Sequence, residues 1–354
     1  MRNSRHCPQP SPATERAPLA PRIGRVSTSV HRVGTDSVTP DEARFSRRDA
    51  LLGALSACCL PTLARAASDN GAPLAMNEVS SEIFFRRGVD EDATAANQGA
   101  IANIGFVVGR EAVAVFDPGG SLADGEHLRT AVRRATRLPV RYVVLSHGHP
   151  DHIFGAAAFQ ADHPEFVGHQ KLPGSLAARG EYYRKRLAAI VGNERAGSIV
   201  MPTVLVRDRT ELDLGGRKLV ITAHPVAHTD NDLTALDSQT GTLLASDLLF
   251  VRRVPSLDGS LRGWLNVLAT LEAQPARRAV PGHGPTGVDW PGASADLERY
   301  LNVLLNETRD AIRKGLPIEE AVNVVGLSER GKWALFDDYH GRNVTQAFKE
   351  LEWE

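Results

Sequence analysis

The stretch "VRYVVLSHGHPDHIFG", residues 140–155, limits what this chain can become more than any other part of it. It opens on a mainly aliphatic run, 140–146, of the kind that makes a buried strand. Four residues able to hold a metal follow almost without a gap: His147, His149, Asp151 and His152. A helix would set His147 and His149 about 200° apart around its axis, so the pair shares a side only on extended chain. Pro150 has no amide hydrogen and breaks a regular ladder. The segment is therefore expected to leave its strand and wrap as a loop, turning Asp151 and His152 toward the same space. Sites in α/β folds commonly lie at such C-terminal strand ends.

The flanking chain alternates strand and helix signals. Runs at 81–88, 102–109 and 112–120 end in Gly or Pro, as strands do. A helix is expected next, with Ser121 as N-cap and Leu128, Ala131, Val132 and Ala135 on one face. Residues 173–192 read as helix, 203–224 as three short strands, and 233–247 as a hairpin turning at 239–241. A helix at 263–273, a strand at 277–284 and helices at 293–314 and 318–325 complete the pattern. No internal repeat is visible. Interleaved elements of this kind predict an α/β sandwich with helices on both outer faces, over residues 67–330. Residues 331–354 read as a C-terminal segment packed on it, with Trp333, Phe336 and Tyr339 buried. A functional version of that tail would put Asp337, Asp338 or His340 at a pocket rim.

Of the 354 residues, 42% are hydrophobic, enough for a sizeable core. The net charge of −1 conceals a basic beginning, since residues 1–66 carry ten Arg against five Asp and Glu. The remaining body is mildly acidic and lacks the basic surface that phosphate backbones demand, so a nucleic-acid partner is not expected. Within the basic part, "SRRDALLGALSACCLPTLARAAS" joins the pair Arg47-Arg48 to an apolar run, 50–63, and a small-residue ending, Ala64-Arg65-Ala66. This reads as an export signal behind a disordered extension, and it resembles a twin-arginine signal, which implies a periplasmic protein. The run is too short for a transmembrane anchor. Cys7, Cys58 and Cys59 all lie before Ala66, so a chain cleaved there has no thiolate to offer a metal. Leu55-Ser56-Ala57-Cys58 also looks like a lipoprotein cleavage box, a second reading that would leave a lipidated Cys58.

Four ligand-type residues do not close a metal shell. Three more arrive from loops after later predicted strands: His228 in "PVAHTDND", Asp247 in "LLASDLL" and His283 in "VPGHGP". Single histidines elsewhere are better read as ordinary. His163, His169, His224 and His340 are taken as surface or packing residues, His224 and His340 being placed nearest the pocket.

The order HxHxDH, then His, Asp and His, together with "FDPGG" at 116–120, resembles the metallo-beta-lactamase superfamily of metal-dependent hydrolases, from about Glu82 to Thr286. The resemblance implies an αββα sandwich. It also implies that His147, His149 and His228 hold one metal ion, that Asp151, His152 and His283 hold a second, and that Asp247 bridges them. Two zinc ions are the expected cofactors, although the same donors accept iron or manganese. The implied chemistry is attack by a shared hydroxide on an ester, thioester, lactone or related bond of a small-molecule substrate, with Asp151 orienting the hydroxide and relaying its proton. Asp117 would lie beside the site. "AHTDNDL" at 227–233, the tail "FDDYHGRNVTQAFKELEWE" and the export signal look most like the quinoprotein relay system zinc metallohydrolases. These are exported proteins associated with pyrroloquinoline-quinone-dependent dehydrogenases, and such a dehydrogenase is the implied partner. Two alternatives stand beside this reading: a mononuclear iron enzyme like the thiol dioxygenases, and a non-catalytic, metal-loaded binding module for a quinoprotein.

Overall fold

Short apolar runs separated by turns or single helices build two sheets in a computed structural model, which describes residues 74–354. The export-signal and extension readings, and with them all three cysteines, lie outside the described residues. The first sheet contains β1 (Asn77–Ser80), β2 (Ile83–Arg86), β3 (Ile104–Val108), β4 (Val113–Phe116), β5 (Val140–Leu145), β6 (Glu165–His169) and β7 (Val204–Val206), adjacent in chain order. Pairing is antiparallel from β1 to β4, where connections are short or looped, and parallel from β4 to β7. The change comes where the helix Leu122–Ala135 supplies the crossover that a parallel pair needs.

The second sheet contains β8 (Arg209–Asp213), β9 (Lys218–Ala223), β10 (Leu233–Asp237), β11 (Thr242–Phe250), β12 (Arg278–His283) and β13 (Val288–Asp289), in the order β13-β12-β11-β10-β9-β8. Only β11 and β12 run parallel, joined through the helix Leu261–Glu272. β3, β4 and β11 are buried at every position because both of their faces are covered.

Three apolar layers result. Ile83, Phe85, Phe116 and Val144 of the first sheet meet Ile221, Leu233 and Leu244 of the second between the sheets. Leu128, Val132, Phe154, Phe159 and Leu187 cover the outer face of the first sheet, while Trp264, Leu268, Tyr300, Leu304 and Phe348 cover that of the second. This is the αββα arrangement, an α/β fold with helices on both outer faces.

Ser121 caps its helix as expected, its side chain accepting from Asp124 N, although Ala135 is exposed on the last turn. Pro150–Ile153 is one turn of helix, not a loop, and runs on into a 3₁₀ stretch, Phe154–Asp162. Pro150 begins that turn, the one helical position where a missing amide hydrogen costs nothing. The expected helix at 318–325 is a single turn, Ile318–Ala321. The tail contains a 16-residue helix, Phe336–Leu351, which the sequence pattern marked only as packed chain. It starts after Leu335 without a side-chain cap and carries Gly341 inside, so both of the usual signals were missing. Among the described residues, no helix is long and apolar enough to cross a membrane.

Candidate metal centre

The seven ligand-type residues meet where the ends of the two sheets come together. His147 and His149 follow β5, Asp151 and His152 lie on the helical turn, His228 sits between β9 and β10, Asp247 is in β11, and His283 ends β12. They form two groups, His147, His149, His228 and Asp247, and Asp151, His152 and His283, each with its donor atoms within 4.8 Å of one another. In the first, His149 Nδ1 lies 3.0 Å from His147 Nε2 and 2.9 Å from His228 Nε2. In the second, Asp151 Oδ2 lies 3.2 Å from His283 Nε2 and 3.5 Å from His152 Nε2. Asp247 faces both. Its Oδ2 is 3.3 Å from His228 Nε2, and its Oδ1 is 3.1 Å from His152 Nε2 and 3.5 Å from His283 Nε2.

Each imidazole is held from behind. His147 Nδ1 meets Ser146 Oγ at 2.9 Å, His149 Nε2 meets Asp258 Oδ2 at 2.9 Å, and His152 Nδ1 meets Asp117 Oδ2 at 2.8 Å. His228 Nδ1 donates to Ser256 O at 2.6 Å and His283 Nδ1 to Ile101 O at 3.0 Å. A carbonyl can only accept, so both of these rings carry their hydrogen on Nδ1 and turn the lone pair of Nε2 inward.

The backbone is bent to make this possible. Asp117 has φ 54° and Ser246 φ 47°, a left-handed conformation uncommon outside glycine. Asp117 Oδ1 accepts from Ser146 N at 2.9 Å, and its Oδ2 accepts from Ser246 Oγ at 2.7 Å. Ser246 lies at an irregularity in the β11–β12 register, a bulge that re-aims the following side chain, Asp247. Gly282 passes so close that a Cβ there would overlap Asp247 Oδ1.

Buried carboxylates dominate the electrostatics. Burial opposes charge on Asp151 and Asp247, yet His152 and His283 hold both carboxyls well below the usual range. Burial likewise opposes charge on His152, but Asp247, Asp151 and Asp117 raise it. His147 goes the other way, lowered by burial and by His152. Buried His152 Nε2 and Asp247 Oδ1 have no hydrogen-bond partner, being close but not aligned with each other. Inward lone pairs, two convergent carboxylates, Asp151 and Asp247, and orphaned donor atoms together fit divalent cations held by nitrogen and oxygen.

A cavity of about 540 Å³ opens over this floor, bordered by His149, Asp151, Asp247 and His283. Its wall includes Tyr183, Arg253, Tyr339 and Arg342. Arg253 donates to Glu91 O at 2.8 Å and lies 5.3 Å over the Tyr339 ring. The tail reading is corrected in part: Trp333 and Phe336 are buried, but Tyr339 is only half-buried and lines the cavity. Asp338 reaches the cavity border, whereas Asp337 pairs with Arg330 at 2.8 Å on the surface. His340 is packed away from the cavity, between Phe336, Tyr300 and Val325 O. His224 is buried against Thr234, held down to about 4 by burial, and does not border the cavity. His169 is buried and His163 exposed, as ordinary residues are.

Two residues that shape the site carry no metal-type spacing and were not anticipated. Asp258 lies in "PSLDGS", which reads as turn chemistry. Asn103, buried, ties the first sheet to β12 through Pro281 O at 2.8 Å and Gly284 O at 3.2 Å, on either side of His283.

A family model described as "Metallo-beta-lactamase superfamily" matches residues 98–283, more than half of the chain. Among solved structures, a metallo-beta-lactamase from Pontibacter korlensis is similar with TM-score 0.53 and 19% identity, over 65% of this chain and 99% of that one. A metallo-beta-lactamase family protein from Thermus thermophilus aligns with TM-score 0.56 and 18% identity, over 77% and 93%. A stereoselective inverting sec-alkylsulfatase from Pseudomonas sp. aligns with TM-score 0.61 and 15% identity over 78% of this chain, which spans about half (50%) of that protein. At these identities the likeness is one of fold. No curated protein matches the chain significantly.

Proposed function

The chain belongs to the metallo-beta-lactamase superfamily, and on that premise we propose that it is a hydrolase holding two divalent metal ions, zinc by preference and iron or manganese with the same donors. The observation that carries this reading is Asp247, which turns one oxygen toward each group of histidines. His147, His149 and His228 would hold one ion, Asp151, His152 and His283 the other, and Asp247 would bridge them. Bound there, such a pair lowers the pKa of a shared water and polarises the oxygen of the bond to be cleaved.

The chain's own residues do the rest. Asp151 borders the cavity beside His152 and His283, where its carboxylate can orient the attacking water and relay its proton. Tyr183, Arg253 and Arg342 offer donors on the wall to orient a polar substrate, and the volume suits a small molecule. The bond class we propose is an ester, thioester, lactone or related bond.

Location and partner follow from the resemblance. The Arg47-Arg48 segment supports twin-arginine export to the periplasm, with a lipidated Cys58 as the rival outcome. The "AHTDNDL" and "FDDYHGRNV" stretches support service to a quinoprotein dehydrogenase. Metal analysis of the mature protein should give two ions per chain, and turnover on a panel that includes sulfate esters should vanish on chelation and return with metal. One iron with oxygen uptake on a thiol would replace this reading with the dioxygenase. Two ions without turnover on the panel would favour the binding module.

A further inference from the structure

The loop 255–258 holds the first histidine group from behind. Ser256 O accepts from His228 Nδ1 and Asp258 Oδ2 meets His149 Nε2, while Asp258 N donates to His228 O at 3.1 Å. The loop has no regular structure of its own. It is held by the C-terminal helix. Buried Asn343 brackets Ser256, its Oδ1 accepting from Leu257 N at 2.9 Å and its Nδ2 donating to Pro255 O at 2.7 Å. Its second Nδ2 hydrogen goes to Tyr300 OH at 2.8 Å. Tyr300 in turn donates to His340 Nδ1 at 2.9 Å, because His340 Nε2 is committed to Val325 O at 2.8 Å. Pro255 O can only accept, so the amide has a single satisfactory orientation. Further along the same stripe, Gln346 Nε2 donates to Gly259 O at 3.0 Å, and Glu350 accepts from Ser260 Oγ at 2.7 Å and Leu261 N at 2.6 Å.

We propose that Asn343 is a positioning residue for the first metal position. It fixes the carbonyl and the carboxylate that aim His228 and His149, so affinity there depends on a helix some two hundred residues beyond His147 (336–351). The second position is aimed by Asp117 and Ile101 of the first half of the chain and does not depend on that helix. The "FDDYHGRNV" stretch thereby gains a physical role, with His340 and Asn343 at two ends of one network. This inference rests on the two-metal reading above.

The test is cobalt titration of the full mature chain against a chromophoric chelator, read from the visible spectrum of the bound ion. Asn343→Leu keeps the volume and removes the bracket. It should weaken one of the two ions by roughly 10–100-fold, the usual cost of losing support behind a ligand. The same loss should appear in a His283→Ala background, where the first position is the one retained. Val344→Ala, which thins packing on the same helix but bonds to no part of the loop, should keep wild-type affinities. If Asn343→Leu does not fold, Asn343→Asp serves, since it keeps the acceptor for Leu257 and sets a carboxylate oxygen against Pro255 O. A folded Asn343 variant with both affinities unchanged, or an equal loss in Val344→Ala, would overturn the inference while leaving a two-ion wild type intact. A wild type that takes up no ion would overturn the inference and the reading together.

Discussion

Asp151 and Gly282 stand on opposite sides of one question, whether a residue at the centre acts on the reaction or only makes room for it. Asp151→Asn keeps the shape and one oxygen donor, so the fold should survive while turnover drops by about 10²-fold or more, the scale of a lost acid–base group. The rate must be read with metal content on the same sample, and a fully loaded variant at the wild-type rate would remove Asp151 from the chemistry. Gly282→Ala tests room. Its Cβ would meet Asp247 Oδ1 and the backbone carbonyl carbon of Ser246, of which only the carboxylate can move. Metal content should fall at both positions while the circular dichroism spectrum stays native. The donors were legible because chelation needs particular residue types at close spacing. Asp258 and Asn103 were not, since any acceptor of the right length can stand behind a ring, and only the fold decides which one does.

At the scale of elements, the helix Leu122–Ala135 is fastened to the first sheet by an ion pair, Arg86 with Asp124, at 2.7 Å and with side chains 8% and 3% exposed. Asp124 also accepts from Gly120 N at 3.1 Å, next to the cavity. Removing one partner of such a pair strands the other charge. Asp124→Ala should therefore cost about 3–5 kcal/mol in urea unfolding, and a loss under about 1 kcal/mol would show that water reaches Arg86. Most strands and the long amphipathic helices were readable from their periods, within a few residues at each end, but β1, β6 and β13, of two to five residues, are too short to show a period and were missed. The uncapped helix Phe336–Leu351 and the bulge at Ser246 were not, for a common reason: tertiary partners impose them against local preference. The helical turn at Pro150 was missed differently, because proline was read as a breaker when it was a start.

For the whole molecule, the first matter is where the chain goes. A reporter that reaches the periplasm only by the twin-arginine route should be carried there by residues 40–70, and Arg47→Lys with Arg48→Lys should stop it. Unimpaired transport of the double variant would point to the general secretory route, and an acylated Cys58 in intact-mass analysis to the lipoprotein. The second matter is that, among the described residues, every strand up to Val206 belongs to one sheet and every strand from Arg209 to the other. His147, His149, Asp151 and His152 lie on one side of that junction, and His228, Asp247 and His283 on the other. Cut the peptide bond between Arg207 and Asp208, and neither polypeptide owns a complete set of donors. The two should reassociate more tightly with zinc than with chelator, by a margin that sedimentation can read. Equal association under both conditions would mean that the apolar layer between the sheets is glue enough. If the margin is found, the ion acts as a ratifying signature: it binds well only when both halves of one message have been translated, folded and brought face to face.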